Sequence, residues 1–238
     1  MKKRLLALFL VLAVLFTAAL TFADDFDDDE DFGDDEFEEE TEFEEEDGQV
    51  DFRTVAGYDT GEKFVCGDFV YQLNSDDNTA YTVSYNGVGT DIVVPDKLDD
   101  HTVTAIGDFT FNFQDKIQTV QLPDTVISIG NMAFYQCTAL KSIVIPDGVT
   151  KIDQCCFGGC SALEDVHMPE SVEIIGDYAF LACANLKEVN FGPSIKSIGI
   201  SAFQMCMSLS KVTMPAEGVD IGENAFTDCA ADIEIIKQ

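Results

Sequence analysis

Basic side chains are scarce in this sequence of 238 residues. Only 13 Lys and Arg stand against 45 Asp and Glu, which gives a formal net charge of −32. The residues from Gly48 onward still carry 27 acidic and 10 basic side chains. Because contacts to phosphate groups need clustered cations, this shortage argues against nucleic acids and anionic membrane surfaces as partners.

Histidine is also rare, since only His101 and His167 occur. A catalytic triad needs a nucleophile, a base and an orienting group that converge. His167 lies between two apolar residues at an outward strand position, and His101 lies in a predicted loop, where we expect it to be solvated. The sequence also lacks a phosphate-binding glycine loop and a paired-carboxylate motif. We therefore expect no enzymatic activity, no catalytic residue and no cofactor.

The N-terminus carries the pattern of an export signal. Lys2, Lys3 and Arg4 precede an apolar run from Leu5 to Leu20, and Thr21-Phe22-Ala23 ends it with small residues at both recognition positions. This pattern predicts a signal peptide over residues 1–23, with an uncleaved membrane anchor as the alternative. No second run of spanning length follows, so we expect a secreted or cell-surface protein without an integral membrane span after cleavage.

An acidic segment follows, which we place at residues 24–50. Eighteen of the 24 residues in 24–47 are Asp or Glu and none is basic, so we expect this segment to be disordered. Three interpretations are open: a solvating spacer, a docking segment for a basic partner with its phenylalanines as anchors, or weak calcium association. No Asp-x-Asp-x-Asp-Gly loop organises the carboxylates for calcium.

The rest of the chain repeats every 23 residues. Five columns keep this register over six copies, and their members are as follows: Ile106, Ile129, Ile152, Ile175, Ile198 and Ile221; Phe111, Phe134, Phe157, Phe180, Phe203 and Phe226; Cys137, Cys160, Cys183, Cys206 and Cys229; Ile117, Leu140, Leu163, Leu186 and Leu209; Pro123, Pro146, Pro169 and Pro215, with Gly192 in the fourth copy. A fixed period of this length is the signature of a solenoid.

One copy shows why the repeat predicts stacked β-coils. Ile143 and Ile145 alternate with an outward residue, which is the pattern of a short half-buried strand, and Pro146 ends it. Val149 and Ile152 then turn inward as a second extended piece. Each coil has one apolar side and needs neighbours to bury it. The fold class is therefore a β-rich solenoid, a right-handed leucine-rich-repeat-like coil with an N-terminal β cap.

Eight cysteines in an exported chain suggest disulfides. The column cysteines lie one coil apart, where parallel Cβ vectors keep the sulfurs too distant for a bond without distortion. We therefore predict buried free thiols, with Cys156 also in the core, Cys155 more exposed and Cys66 outside the repeats. Neither histidine lies near a Cys-x-x-Cys pair, so we predict no metal site.

The copies "LKSIVIPDGVTKIDQCCFGGCSAL" and "LEDVHMPESVEIIGDYAFLACANL" resemble the BspA-like leucine-rich repeats of bacterial surface proteins, over about residues 69–236. The resemblance implies two strands ahead of the first coil and adhesion-type roles. We divide the chain into a linker and N-terminal β cap at 51–104 and an array of about six coils at 105–238. Pro95 stands 28 residues before Pro123, which places a five-residue insertion around Leu98 to Thr102.

The stacked strands predict a continuous, mostly polar stripe of outward side chains. Solenoids commonly bind partners on such faces, although a merely soluble sheet fits equally well. We predict a secreted interaction module, of the adhesion type, that binds an extracellular protein or glycan through this stripe. The alternative is a structural or cation-associating secreted protein that acts through its acidic segment. The candidate binding residues are Thr119, Gln121, Ser142, Val144, Asp165, His167, Glu188, Asn190, Lys211 and Thr213.

Overall fold

A computed structural model describes residues 61–237, which form strands and turns with no helix in that range. The predicted signal peptide, the acidic segment and residues 51–60 lie outside the described residues. The strands are β1 (Phe64–Cys66), β2 (Phe69–Leu73), β3 (Ala80–Tyr85), β4 (Asp91–Val93), β5 (Lys97–Leu98), β6 (His101–Ile106), β7 (Thr119–Gln121), β8 (Ser128–Ile129), β9 (Ser142–Val144), β10 (Lys151–Ile152), β11 (Asp165–His167), β12 (Ile174–Ile175), β13 (Glu188–Asn190), β14 (Ser197–Ile198), β15 (Lys211–Met214), β16 (Asp220–Ile221) and β17 (Glu234–Lys237).

The strands stack in parallel with the predicted step of 23 residues, which confirms the solenoid. Ser142 of β9 pairs with Thr119 of β7 and with Asp165 of β11. A second sheet runs from β6 through β8, β10, β12 and β14 to β16 by the same step. β4 pairs with β7 as well, so the array has about seven turns rather than six. The domain boundaries chosen from the sequence stay a prediction.

The five-residue insertion forms a small hairpin. Asp91 of β4 pairs with Thr119 of β7, a step of 28 residues instead of 23. The extra residues allow β5 to pair antiparallel with β6, with Leu98 opposite His101. Asp99 lies in the turn with φ 51°, in the left-handed region. The insertion is therefore at the position that the proline spacing predicted.

The phenylalanine column is the centre of the core. The rings of Phe111, Phe134, Phe157, Phe180 and Phe203 are fully buried and stack with centroids 5.0 to 5.2 Å apart. The turns that carry them form a backbone ladder as well, because each N–H donates to a carbonyl of the next coil, as from Phe134 to Cys156 at 2.9 Å. Burial of these large rings is the main favourable contribution to the stability of the stack.

A β meander closes the N-terminal end of the array. β1, β2 and β3 pair antiparallel, and β3 then pairs parallel with β6. Phe69 and Tyr85 pack their rings against Phe111, at 6.3 and 5.5 Å between centroids, and so cover the first coil. The sequence predicted two strands ahead of the first coil. The structure adds the third, β1, whose three residues are too few to give a periodic signal.

All eight cysteines are free, as predicted. The column thiols donate to backbone carbonyls of the preceding coil, as from Cys137 Sγ to the oxygen of Phe111 at 3.1 Å, and burial raises the pKa of Cys137 to about 12. The expectation for Cys155 was wrong, since it is 1% exposed. Its larger neighbours in the same column, Met132 and Tyr178, cover the small thiol.

Candidate interaction surface

The outward side chains of β4, β7, β9, β11, β13, β15 and β17 form one side of the solenoid, here called the strand face. In β11, Asp165 and His167 are exposed while Val166 between them is buried, because side chains alternate along a strand. Eight of the ten candidate residues are exposed: Thr119, Gln121, Ser142, Val144, Asp165, His167, Glu188 and Asn190. The other two, Lys211 and Thr213, are half-buried. Their outward orientation is as predicted, and their role in binding stays a prediction.

The hydrogen-bonded ladder under the strand face is interrupted. β4, β7, β9 and β11 form one sheet and β13, β15 and β17 form another, with no strand pairing between β11 and β13 in the described range. The expected continuous ladder is therefore wrong at this step. The interruption coincides with a close approach just after β13, where a Cβ on Gly192 would lie 2.6 Å from the Cα of Glu170.

Side-chain contacts nevertheless connect the two sheets. The Lys187 backbone N–H donates to the carbonyl of Glu164 at 3.3 Å, and Lys187 Nζ lies 2.5 Å from Glu164 Oε2. The hydrogen bond from Lys187 holds the pKa of Glu164 below its ordinary value. Lys211 Nζ lies 3.5 Å from Glu188 in the same way. Positive and negative side chains therefore alternate from coil to coil across the strand face.

A surface depression of about 270 Å³ lies at the interruption. Its lining includes three of the candidate residues, Asp165, Glu188 and Asn190. The structure adds Glu164 and Lys187, which the sequence reasoning missed because it considered only the alternating strand positions. Both residues keep the 23-residue register one place before the strand, so the repeat itself carried a signal for them. His167 does not line the depression.

At the N-terminal end of the strand face, polar contacts fix the side chains. Thr119 Oγ1 donates to Asp91 Oδ1 at 2.7 Å and Thr90 Oγ1 donates to Asp91 Oδ2 at 2.8 Å. These two hydrogen bonds lower the pKa of Asp91, so the carboxylate is ionised over the whole neutral range. Val93 and Val144 remain largely exposed beside them. This end of the face is therefore more apolar than the depression.

These groups can make hydrogen bonds, ion pairs and apolar contacts. In residues 61–237, no three His, Cys, Asp or Glu side chains come together as a metal site would require. His101, expected to be solvated, is half-buried at the start of β6, and its Nδ1 lies 3.0 Å from the carbonyl oxygen of Asn78. Among the same residues there is no helix of the length and apolarity that a membrane span needs.

Comparison with known proteins points to one family. The model of the BspA type leucine rich repeat region matches residues 104–232 in six copies. A leucine rich cell surface protein from Faecalibacterium prausnitzii A2-165 is 33% identical, with a TM-score of 0.66 over 76% of this chain and 52% of that one. The leucine rich repeat protein of T. pallidum is 30% identical, with a TM-score of 0.62 over 68% of this chain and 82% of that one.

A leucine-rich repeat protein from Bacteroides ovatus ATCC 8483 shares the fold at 23% identity, with a TM-score of 0.60 over 74% of this chain and 53% of that one. This chain thus spans about half the length of the F. prausnitzii and B. ovatus chains. No curated protein matches the sequence. Because the repeat model covers more than half of the sequence and the T. pallidum protein matches over most of its length, this chain belongs to the BspA-type leucine-rich repeat family.

Proposed function

We propose that this chain is an extracellular interaction module that binds a protein through its strand face. The observation that carries the proposal is the row of exposed polar side chains on a rigid backbone, with a depression lined by Asp165, Glu188 and Asn190. Stacked repeats commonly recognise partners on such extended surfaces, and the fold is typical of non-enzymatic interaction scaffolds.

The charges of the strand face favour a protein over a neutral glycan as the partner. Lys187 and Lys211 alternate with Glu164 and Glu188 from one coil to the next. A partner surface with side chains of both signs can match this order, whereas wrong partners meet like charges. Electrostatic matching of this kind contributes specificity and the rate of association more than it contributes affinity.

A position at the cell surface or outside the cell is part of the proposal. It is supported by the export pattern of residues 1–23 and by the similarity to a leucine rich cell surface protein. In that setting, binding to a host or neighbouring-cell protein would have the character of adhesion.

The test is binding of the full chain to immobilised extracellular-matrix proteins and mucins, compared with a variant that carries Asp165→Ala, Glu188→Ala and Asn190→Ala. We expect this variant to lose about tenfold or more in affinity, as for substitutions at the centre of an interface. The matched control carries Ser128→Ala, Asp220→Ala and Glu223→Ala, which are exposed positions away from the strand face, and it should bind like the wild type.

A second variant separates the strand face from the acidic segment. Deletion of residues 24–47 should leave binding unchanged at physiological salt. Loss of binding on this deletion, with affinity that falls steeply as salt rises, would move the function to the acidic segment and refute the proposal. Binding to none of the proteins, or equal binding by the strand-face variant and the wild type, would also refute it.

A further inference from the structure

One side of the solenoid carries no charge over four consecutive coils. Residues 131–140, 155–163, 178–186 and 201–209 contain no Asp, Glu, Lys or Arg, in a chain where 24% of the residues are charged. Their solvent-facing side chains, together with Phe113 from the first coil, form a surface that we call the neutral strip. Asp115 and Lys116 lie beside one end of it and Asp228 beside the other.

The neutral strip is flat in composition at its centre and apolar at its two ends. Small residues occupy the middle, among them Gly159, Ser161 and Ala182. At one end Phe113 packs edge-on against Tyr135 and remains 44% exposed. At the other end Met205 is 36% exposed, beside the more exposed Met207. Exposed apolar side chains grouped on an uncharged surface are typical of interaction sites.

The backbone under the neutral strip is held in a ladder of hydrogen bonds. Gln136 donates to the carbonyl of Gly158 at 2.8 Å, Gly159 to Leu181 at 2.7 Å, and Ala182 to Gln204 at 2.8 Å. A surface held in this way is already in the shape needed for binding, so little conformational entropy is lost when a partner docks. The strip is about 20 Å long from the first coil to the fifth, at roughly 4.8 Å per coil.

We propose that the neutral strip is the contact surface of a homodimer. Two copies that each carry a net charge of −32 repel one another strongly, and this repulsion is smallest where both copies present uncharged side chains. A second copy of the chain is the partner for which an absence of charge matters most. The proposal goes beyond the binding of a protein by the strand face, because it uses a different side of the solenoid.

The repeat register makes the neutral strip self-complementary. Phe113 and Met205 belong to the same column and stand two coils on either side of Gly159. A two-fold axis across the strip at Gly159 therefore places Phe113 of each copy against Met205 of the other. In such an isologous contact the same pair forms twice, and sulfur–aromatic contacts are favourable. The small central residues let the two backbones approach.

The dimer leaves both strand faces accessible and presents them in pairs. Two linked faces bind a surface that carries several partner molecules with higher overall affinity than one face alone. Because only five coils contribute to the contact, we expect a weak dimer, with a dissociation constant on the order of 100 μM. Added salt should strengthen the association, since the net electrostatic interaction between two acidic copies is repulsive.

Sedimentation equilibrium of the full chain at several concentrations and salt levels tests the proposal. Met205→Glu should weaken the dimer about tenfold or more, because it brings two buried charges into the contact. The control is Ile174→Glu, which places the same charge on an apolar side chain of nearly equal exposure, 37%, outside the strip. It should leave the dimer within about twofold of the wild type, apart from the general effect of one added charge.

The double variant Phe113→Lys with Met205→Glu tests the antiparallel arrangement. Each added Lys faces an added Glu of the other copy, so the dimer should recover most of what Met205→Glu alone loses. Thermal melting checks that each variant stays folded. A chain that is monomeric at all concentrations would overturn the proposal, and so would a dimer insensitive to Met205→Glu. A dimer weakened by Met205→Glu without recovery in the double variant would overturn the two-fold arrangement.

Discussion

The first and the last coil of the array carry the same column residues in different surroundings. Phe111 in the first coil lies between Phe134 and the cap rings of Phe69 and Tyr85, and it is fully buried. Phe226 in the last coil stacks on Phe203 at 5.4 Å but is only half-buried, since no other described residue covers its second face.

The difference shows that a coil gains its stability from its neighbours. In the interior, turn N–H groups donate to carbonyls of the following coil, as from Phe203 to Ala225 at 2.8 Å. Within residues 61–237, the corresponding N–H groups of Phe226 and Asp228 have no such acceptor. Ile221 and Ile235, on the two strands of this coil, are both 41% exposed. The last coil should therefore open locally at a lower free energy than the rest.

Truncation of the core phenylalanine should show the largest contrast between the interior and the end. Phe180→Ala removes a fully buried ring and should lower the free energy of unfolding by about 3–5 kcal/mol. Phe226→Ala should cost less, about 1–2 kcal/mol, because the ring is half-buried. Chemical denaturation of both variants checks this. Equal losses would mean that the last coil is as well packed as the interior.

Thiol reactivity should distinguish the same two environments. Cys229 in the last coil is partly exposed, whereas Cys206 one coil earlier is fully buried and burial raises its pKa well above the ordinary value. Burial raises the pKa of Cys229 less, to about 11. At pH 8 a thiol reagent should modify Cys66 and Cys229 first and the other six only on unfolding. Reaction of Cys206 as fast as Cys229 would contradict the stacked interior.

A smaller effect is expected at the left-handed turn positions. Ala182 has φ 58° and occupies the column in which the preceding coil has Gly159. Ala182→Gly relieves the backbone strain and should raise the free energy of unfolding by up to about 1 kcal/mol. Asp228→Gly at φ 58° in the last coil should change global unfolding less, because that coil opens first. A larger gain from Asp228→Gly would show that the last coil unfolds together with the core.

The smallest effect should come from the ion pair that bridges β11 and β13. Lys187→Ala removes the contact with Glu164, whose side chain is 53% exposed. The pKa of Glu164 is lowered in the folded chain, so the pair stabilises the fold above the ordinary pKa of 4.5. Its contribution disappears as the pH falls through the lowered pKa. The difference in melting temperature between variant and wild type should thus be slight at pH 7 and vanish in acid.

Much of the fold could be predicted because its period is a property of the side chains. The columns of Phe111, Ile106 and Cys137 each mark an inward position, and the spacing of Pro95 and Pro123 locates the hairpin insertion. The interruption between β11 and β13 could not be predicted in this way. It depends on small displacements of the backbone, and the side-chain pattern of the two strands is the same as elsewhere.

The candidate site was predicted only in part for a similar reason. Alternation along a strand identified the outward residues, including Asp165 and Asn190. The depression is formed between strands, where Glu164 and Lys187 reach across from the positions before them. The burial of Cys155 likewise depends on the size of its neighbours in adjacent coils. Contacts between coils are thus what the pattern within a single coil does not contain.

Amide hydrogen exchange of the full chain, free and saturated with the matrix protein or mucin that it binds most tightly, tests the strand-face proposal most directly. We predict slower exchange on binding in β9, β11 and β13, centred on residues 164–167 and 187–190, with no change in β8, β10 and β12. Protection confined to the second sheet or to residues 24–47 would contradict the assignment of binding to the strand face.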